Sequence, residues 1–251
     1  MNNIKIVFID LDGTLTNKNQ IVSEKNIEAL KLLKDKNIKI VITTGRWDSY
    51  VYNLIDLSLI DYIISNNGAC IIDTKSNKVI YENSFSKEDI DTINSYCISN
   101  NYNLIYNGLF KRYNINDKID GNIYQGVIIC DSIDKMDKLI EFTNNTNNLK
   151  LAYISYAYYK KIIKNEYTAN INLKETNKGT TIKYLLNQLN LSKENSLCFG
   201  DNNNDINMFE QCGTKVAMEN SLDELKEKAD YITLDNNNDG IYYFIKKYFN
   251  K

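Results

Sequence analysis

Apolar positions along this chain follow two periods, and the points where one gives way to the other mark out most of its elements. Ile4 to Ile9 is an apolar, β-branched run that predicts a buried strand. Ile27, Leu30 and Leu33 then recur at helical spacing behind Ser23, whose hydroxyl can cap a free backbone N–H. A second run from Ile38 to Thr43, a helix around Tyr50 to Leu57 and a short strand from Tyr62 to Ser65 continue the alternation. Strands alternating with helices imply right-handed βαβ units and a parallel sheet covered on both faces. A hairpin of Cys70 to Ile72 with Val79 to Tyr81 follows.

The rhythm changes from about residue 85. Ser86 and Asp89 have capping-box spacing ahead of a helix marked by Ile90, Ile93 and Cys97. Strand-like segments follow at Asn103 to Tyr106, Phe110 to Ile115 and Ile123 to Cys130. A second helix carries Met136, Leu139, Ile140 and Thr143, and further strands are predicted near Leu149 to Ser155, Tyr159 to Ile163 and Thr168 to Leu173. Helices separated by successive strands predict an open, mainly antiparallel α+β module. From Gly179 the βα alternation returns, with Ile182, Leu185, Leu186 and Leu189 forming one helical stripe. Strands at Ser196 to Phe199, Lys215 to Ala217 and Tyr231 to Thr233 are separated by helices near Ile206 to Gln211 and Leu222 to Ala229. A last helix runs through Phe244, Ile245 and Tyr248. The chain thus reads as an α/β domain of residues 1–84 plus 175–251, with a second domain of residues 85–174 inserted into it.

Composition removes whole classes of chemistry. The chain of 251 residues has no histidine, which excludes imidazole nucleophiles, Ser-His-Asp triads and His-rich zinc or non-haem iron sites. Acid–base work then falls to carboxylates, Lys, Tyr or Cys. Thirty Lys+Arg against 32 Asp+Glu leave a net charge of −2, which gives no footprint for nucleic acid or an anionic membrane as partner. Cys70, Cys97, Cys130, Cys198 and Cys212 are scattered and form no CxxC, so they fit reduced thiols in a cytoplasmic protein better than a disulfide frame. The N-terminus is too short and polar for a signal peptide, and no apolar run approaches the roughly 20 residues of a membrane span.

Candidate chemistry begins at Asp10-Leu11-Asp12-Gly13-Thr14, directly behind the first strand. At an effective dielectric of about 20, two like charges ~4 Å apart repel by roughly 4 kcal/mol, so gathered carboxylates call for a proton or a hard cation such as Mg²⁺. Alone, the motif fits an acidic turn equally well. Three further segments sit where strands end or a helix begins, the crevice in which parallel α/β sheets bind ligands. They are Thr43-Thr44-Gly45-Arg46, Lys178-Gly179-Thr180 and Gly200-Asp201-Asn202-Asn203-Asn204-Asp205. Asn67-Gly68 reads first as a hairpin turn. Lys111, Arg112 and Tyr113 form a cationic and aromatic cluster that fits a leaving-group reader or a solvated strand face, and the tyrosines from Tyr153 to Tyr159 read as sheet surface.

Taken together in this order, the four segments resemble those of the haloacid dehalogenase superfamily, in particular its Cof-like subfamily IIB phosphatases. The resemblance covers the whole chain. It includes Asn67-Gly68-Ala69, the module inserted between the second and third segments, Val216 to Asn220 through Leu225-Lys226 to Ala229-Asp230, and Asp239-Gly240. It implies a Rossmann-like core with an α+β cap. The implied activity is Mg²⁺-dependent hydrolysis of small phosphorylated metabolites, sugar phosphates or phosphorylated cofactors, through an aspartyl-phosphate. By this likeness Asp10 would be the nucleophile and Asp12 the general acid–base. Asp10, the backbone carbonyl of Asp12 and Asp201 would hold the metal, with Asp205 acting directly or through water, unless Asp205 is simply a helix N-terminal Asp favoured by the dipole. Leu11, Thr44, Gly45, Arg46, Lys178 and Asn204 would contact phosphate or substrate, with an ion pair as the other reading of Arg46 and a polar loop that of Asn204. A carboxylate is nucleophilic at neutral pH without an activating base, which suits a chain lacking histidine. Two departures stand out: Ile171 to Thr176 lacks the family's proline ahead of the third segment, and Asn202-Asn203 fill the fourth. A phosphomutase or specialised sugar-phosphate phosphatase of the same subfamily, and a non-catalytic phospholigand sensor, are the competing readings.

Overall fold

In the computed structural model, which describes the chain except residues 2, 156–166 and 250–251, the alternating apolar residues of the first strand face two different helical layers. Val7 and Ile9 of β1 (Ile6–Asp10) pack with Leu30 and Leu33 of α1 (Glu24–Asp35) and with Ile241 and Ile245 of α8 (Gly240–Phe249). Ile6 and Phe8 pack with Ile182 and Leu185 of α5 (Lys178–Gln188) and with Met208 and Phe209 of α6 (Ile206–Gln211). A strand buried on both faces must be apolar throughout, which is why Ile4 to Ile9 shows no polar alternation except Lys5.

Eight strands form this sheet in the order β13-β12-β11-β1-β2-β3-β4-β5. Here β2 is Lys39–Thr43, β3 Tyr62–Ser65, β11 Ser196–Gly200, β12 Thr214–Met218 and β13 Tyr231–Thr233, all parallel to β1. The strands β4 (Cys70–Asp73) and β5 (Lys78–Glu82) run antiparallel at one edge. The Asn67-Gly68 turn joins β3 to β4, and Asn66, Asn67 and Gly68 all take left-handed φ of 52°, 58° and 99°.

A second, wholly antiparallel sheet has the order β7-β6-β8-β10-β9, with β6 Asn103–Gly108, β7 Arg112–Asn114, β8 Ile123–Cys130, β9 Leu149–Ser155 and β10 Tyr167–Leu173. Its apolar face is covered by α3 (Lys87–Ser99) and α4 (Ile133–Asn144), through Ile93, Cys97, Met136 and Leu139. Ser86 and Asp89 make the capping box that starts α3. The two connections to the parallel sheet run side by side, with Asn83 Nδ2 donating to Thr176 Oγ1 at 2.9 Å.

Three elements differ from their sequence patterns. The helix expected around Tyr50 to Leu57 is α2 (Asp48–Tyr52) followed by a 3₁₀ turn at Leu57–Leu59, because the Asp56 carboxylate caps Ser58 N–H and restarts the chain. The strand expected from Phe110 shrinks to Arg112–Asn114, since Phe110 sits at φ 53° in the turn before it. The helix expected over Leu222 to Ala229 is α7 (Asp223–Glu227). The strand expected at Tyr159 to Ile163 lies outside the described residues. Among the described residues no helix is long and apolar enough to cross a membrane, and all five cysteines are free and buried.

Leu30 is fully buried far from any strand end. Leu30→Ala should therefore lower the unfolding free energy by about 2–5 kcal/mol in denaturant titrations while leaving ligand binding intact.

Candidate active site

Parallel register carries the candidate residues to one edge of the sheet. Asp10 pairs with Thr43 and Ile9 with Phe199, so the segments that follow β1, β2 and β11 emerge side by side. Gly13 sits at φ 85°, and a Cβ there would overlap the Asp201 carboxylate, so only glycine lets the first loop close onto the fourth. Thr14 Oγ1 donates to Asp201 Oδ1 at 3.0 Å, and Asn220 Nδ2 donates to the Gly13 carbonyl at 2.8 Å.

Lys178, the first residue of α5, is 1% exposed. Its ammonium donates to Asp10 Oδ1 at 2.5 Å and to Asp205 Oδ1 at 2.6 Å. The other Asp205 oxygen accepts the backbone N–H groups of Asp201 and Asn202, each at 3.0 Å. Asp205 therefore fixes both the lysine and the loop that carries Asp201. Burial alone would lower the proton affinity of Lys178, but Asp10 and Asp205 outweigh it and hold the amine charged. Burial, and then the Asp205 charge, raise the pKa of Asp10 well above the carboxylate range and that of Asp201 to about 7.

Asp12 points to a different partner. The Arg46 guanidinium forks onto its carboxylate, with Nε to Oδ2 at 2.6 Å and Nη2 to Oδ1 at 2.7 Å. Arg46 lies 3.9 Å over the Tyr50 ring, and both residues donate to Gln20 Oε1. Thr44 is buried, and its hydroxyl accepts the Arg46 N–H at 3.0 Å. Leu11 is fully buried in the core and its carbonyl accepts from Thr16. Asn204 Nδ2 donates to Asn67 Oδ1 at 3.3 Å.

Asp10, Asp12, Gly45, Arg46 and Asn204 open into a cleft of about 280 Å³. Its far wall comes from the antiparallel sheet. Along β10, Ala169 and Ile171 face the helices while Thr168 and Asn170 line the cleft and Asn172 lies buried beneath it. Asn107, Gln125 and Val127 complete that wall. Of the sequence cluster at 111–113, only Arg112 reaches the cleft, stacked 4.6 Å from the Trp47 ring, while Lys111 and Tyr113 turn to Asp120. In the cluster from Tyr153 to Tyr159, residues 156 onward lie outside the described residues. Trp47, Tyr50, Asn107, Gln125 and Asn172 escaped the sequence reading. The polar alternation of Thr168, Asn170 and Asn172 was the available signal for that face.

Carboxylate oxygens of Asp10, Asp201 and Asp205 lie within 4.8 Å of one another. Three carboxylates against one ammonium, in a buried all-oxygen pocket, suit a hard divalent cation. Burial first, and the Asp205 charge second, raise the proton affinities of Asp10 and Asp201 in the same pocket.

Residues 7–245 match the family model of the haloacid dehalogenase-like hydrolases. The chain is 30% identical over 280 residues to the 5-amino-6-(5-phospho-D-ribitylamino)uracil phosphatase YwtE of Bacillus subtilis, covering 96% of this chain and 97% of that protein. Its fold is similar to that of a haloacid dehalogenase-like hydrolase from B. subtilis, with a TM-score of 0.82, 24% identity, and 98% and 100% of the two chains covered. A HAD subclass IIB sugar phosphatase aligns at a TM-score of 0.78 and 23% identity, covering 98% of this chain and 99% of that one.

Two measurements probe the charge balance. Lys178→Met leaves Asp10 and Asp205 buried against each other and should destabilise the fold by about 3–5 kcal/mol in denaturant titrations. Millimolar Mg²⁺ should raise the thermal unfolding midpoint of the native protein, and Asp201→Asn should remove most of that increase.

Proposed function

This chain belongs to the haloacid dehalogenase-like hydrolase family and is a phosphatase of small phosphorylated substrates, and we propose that it is a Mg²⁺-dependent phosphomonoester hydrolase working through an aspartyl-phosphate. The observation that carries this reading is Lys178, buried between Asp10 and Asp205 at the strand ends. A buried ammonium there keeps Asp10 oriented and offsets charge on a transferring phosphoryl group. Asp10 attacks phosphorus, the ester P–O bond breaks, and the departing alkoxide takes a proton from Asp12. Asp12 then removes a proton from the water that attacks the acyl phosphate, releasing phosphate and restoring Asp10. Thr44, the Gly45 amide and Lys178 bind the phosphate oxygens, and Asn204 borders them. Asp10, the backbone carbonyl of Asp12 and Asp201 would hold Mg²⁺, with Asp205 supporting through the loop it fixes; when bound, the ion screens the anionic nucleophile from the anionic substrate.

Residues 85–174 form the cap on a core of residues 1–84 plus 175–251. Supporting this division, the Phe110 N–H donates to the buried Asp48 Oδ2 at 2.7 Å, and Gln125 Nε2 donates to the Gly45 carbonyl at 3.3 Å. The cleft holds a small leaving group, and its amide, hydroxyl and aromatic lining suits sugar phosphates or phosphorylated cofactors. Buried free thiols support action in the cytoplasm.

A panel of phosphate esters assayed with Mg²⁺ and with EDTA tests the reading. Free phosphate should appear without an isomerised ester, EDTA should stop its release, and Asp10→Asn should abolish it. Turnover by Asp10→Asn at the native rate would overturn the nucleophile assignment, and tight binding of a phosphometabolite without turnover would favour the sensor.

A further inference from the structure

Five buried carboxamides gather where the antiparallel sheet sits on the loops of the parallel sheet. Asn66, Asn67, Asn107, Gln125 and Asn172 are all buried. Asn107 Nδ2 donates to Asn66 Oδ1 at 3.2 Å and to Gln125 Oε1 at 2.9 Å. Gln125 Nε2 donates to Asn172 Oδ1 at 3.2 Å and to the Gly45 carbonyl. Asn172 Nδ2 in turn donates to the carbonyls of Asn66 at 2.9 Å and Tyr124 at 3.0 Å. Each amide has its oxygen and nitrogen ends fixed by its neighbours, because a flip would set donor against donor or acceptor against acceptor.

Gln125 reaches this position through an irregularity. The register of β6 on β8 shifts between Asn107 and Gly108, and Tyr124 and Gln125, adjacent in sequence, both turn toward the core. The Gly45 carbonyl that Gln125 holds shares one rigid peptide plane with the Arg46 N–H. That N–H donates to Thr44 Oγ1, so both edges of the plane are tied. Arg46 leaves this peptide to fork onto Asp12.

We propose that Gln125 is a positioning residue for proton transfer: it holds the Gly45–Arg46 peptide so that the Arg46 guanidinium keeps the Asp12 carboxylate aimed at the leaving-group oxygen. The inference rests on the reading of Asp12 as the general acid–base. Gln125 touches neither Asp12 nor Asp10 and acts through Arg46.

Leaving-group chemistry separates this role from a structural one. Nitrophenolate departs without a proton, whereas an alkoxide needs one. The experiment compares kcat/KM for p-nitrophenyl phosphate and for an alkyl phosphate that the native enzyme hydrolyses. Gln125→Glu still accepts from Asn107 but, ionised, has no proton for the Gly45 carbonyl or for Asn172 Oδ1; Gln125→Leu removes all three bonds. Both variants should lose on the order of tenfold on the alkyl ester and less than about threefold on the aryl ester, a fraction of what a general acid contributes. Arg46→Lys should show the same bias. Thermal unfolding midpoints check that the variants are folded, and Gln125→Glu decides if Gln125→Leu is not. Equal losses on the two esters, or none, overturn the proposal. Asp12→Asn tells the two failures apart: without a larger loss on the alkyl ester the acid–base reading itself falls, and with one, unbiased Gln125 variants sink this inference alone.

Discussion

Everything at the strand ends is arranged around one buried ammonium. Removing Lys178 from water is unfavourable unless carboxylates repay it at contact distance, and Asp10 does so from the end of β1 and Asp205 from the turn between β11 and α6. Each partner needs its own backbone accommodation. A Cβ at Gly200 would collide with the Asp205 side chain, and one at Gly179 with the Asn207 carbonyl, so glycines permit β11 and α5 to bring the charges together. Asn177 accepts the Thr180 N–H and so starts α5 at the residue whose side chain must enter the site. Shift any of these by one residue and an uncompensated charge is left in the core.

The second sheet solves a different problem. Apart from the Arg112 guanidinium it lines the cleft with uncharged groups, so it adds no further negative charge beside the carboxylates. The two-residue period of β10 makes this possible, sending Ala169 and Ile171 into an apolar core and Thr168 and Asn170 to the cleft. Its buried amides add donors to the Gly45 and Asn66 carbonyls of loops 44–46 and 66–68. One atom escapes this accounting: Asp48 Oδ1 has no hydrogen-bond partner among the described residues, and burial raises the pKa of that carboxyl.

How far the sequence disclosed this depends on the range of the interaction involved. Strands and helices were legible because a buried β1 or an amphipathic α1 writes its period into consecutive residues. The end of α2 and the turn at Phe110 were not, because a 3₁₀ restart and a single left-handed residue leave no periodic trace. The segments holding Asp10, Asp12, Lys178 and Asp201 stand out at element ends, the family resemblance gives them roles, and the fold brings Asp10, Lys178 and Asp201 together. For Arg46 the sequence supports an ion pair as well as a substrate role but does not name Asp12 as the partner, since a contact 34 positions apart has no local signature. Gln125 was invisible for a further reason: its direction is set by a register shift, which belongs to two strands at once. The segment Ile171 to Thr176, which lacks the family's proline ahead of Lys178, contains Asn172, a central amide of the junction.

The neutral character of that junction has a physical consequence of its own. Ion pairs at a seam weaken as dissolved salt shortens the Debye length, to about 8 Å at physiological ionic strength. Amide contacts carry no monopole, so the bonds from Asn107, Gln125 and Asn172 are blind to the ionic medium. The electrolyte around the molecule then acts on the anionic ligand as it approaches, and leaves these amide bonds untouched.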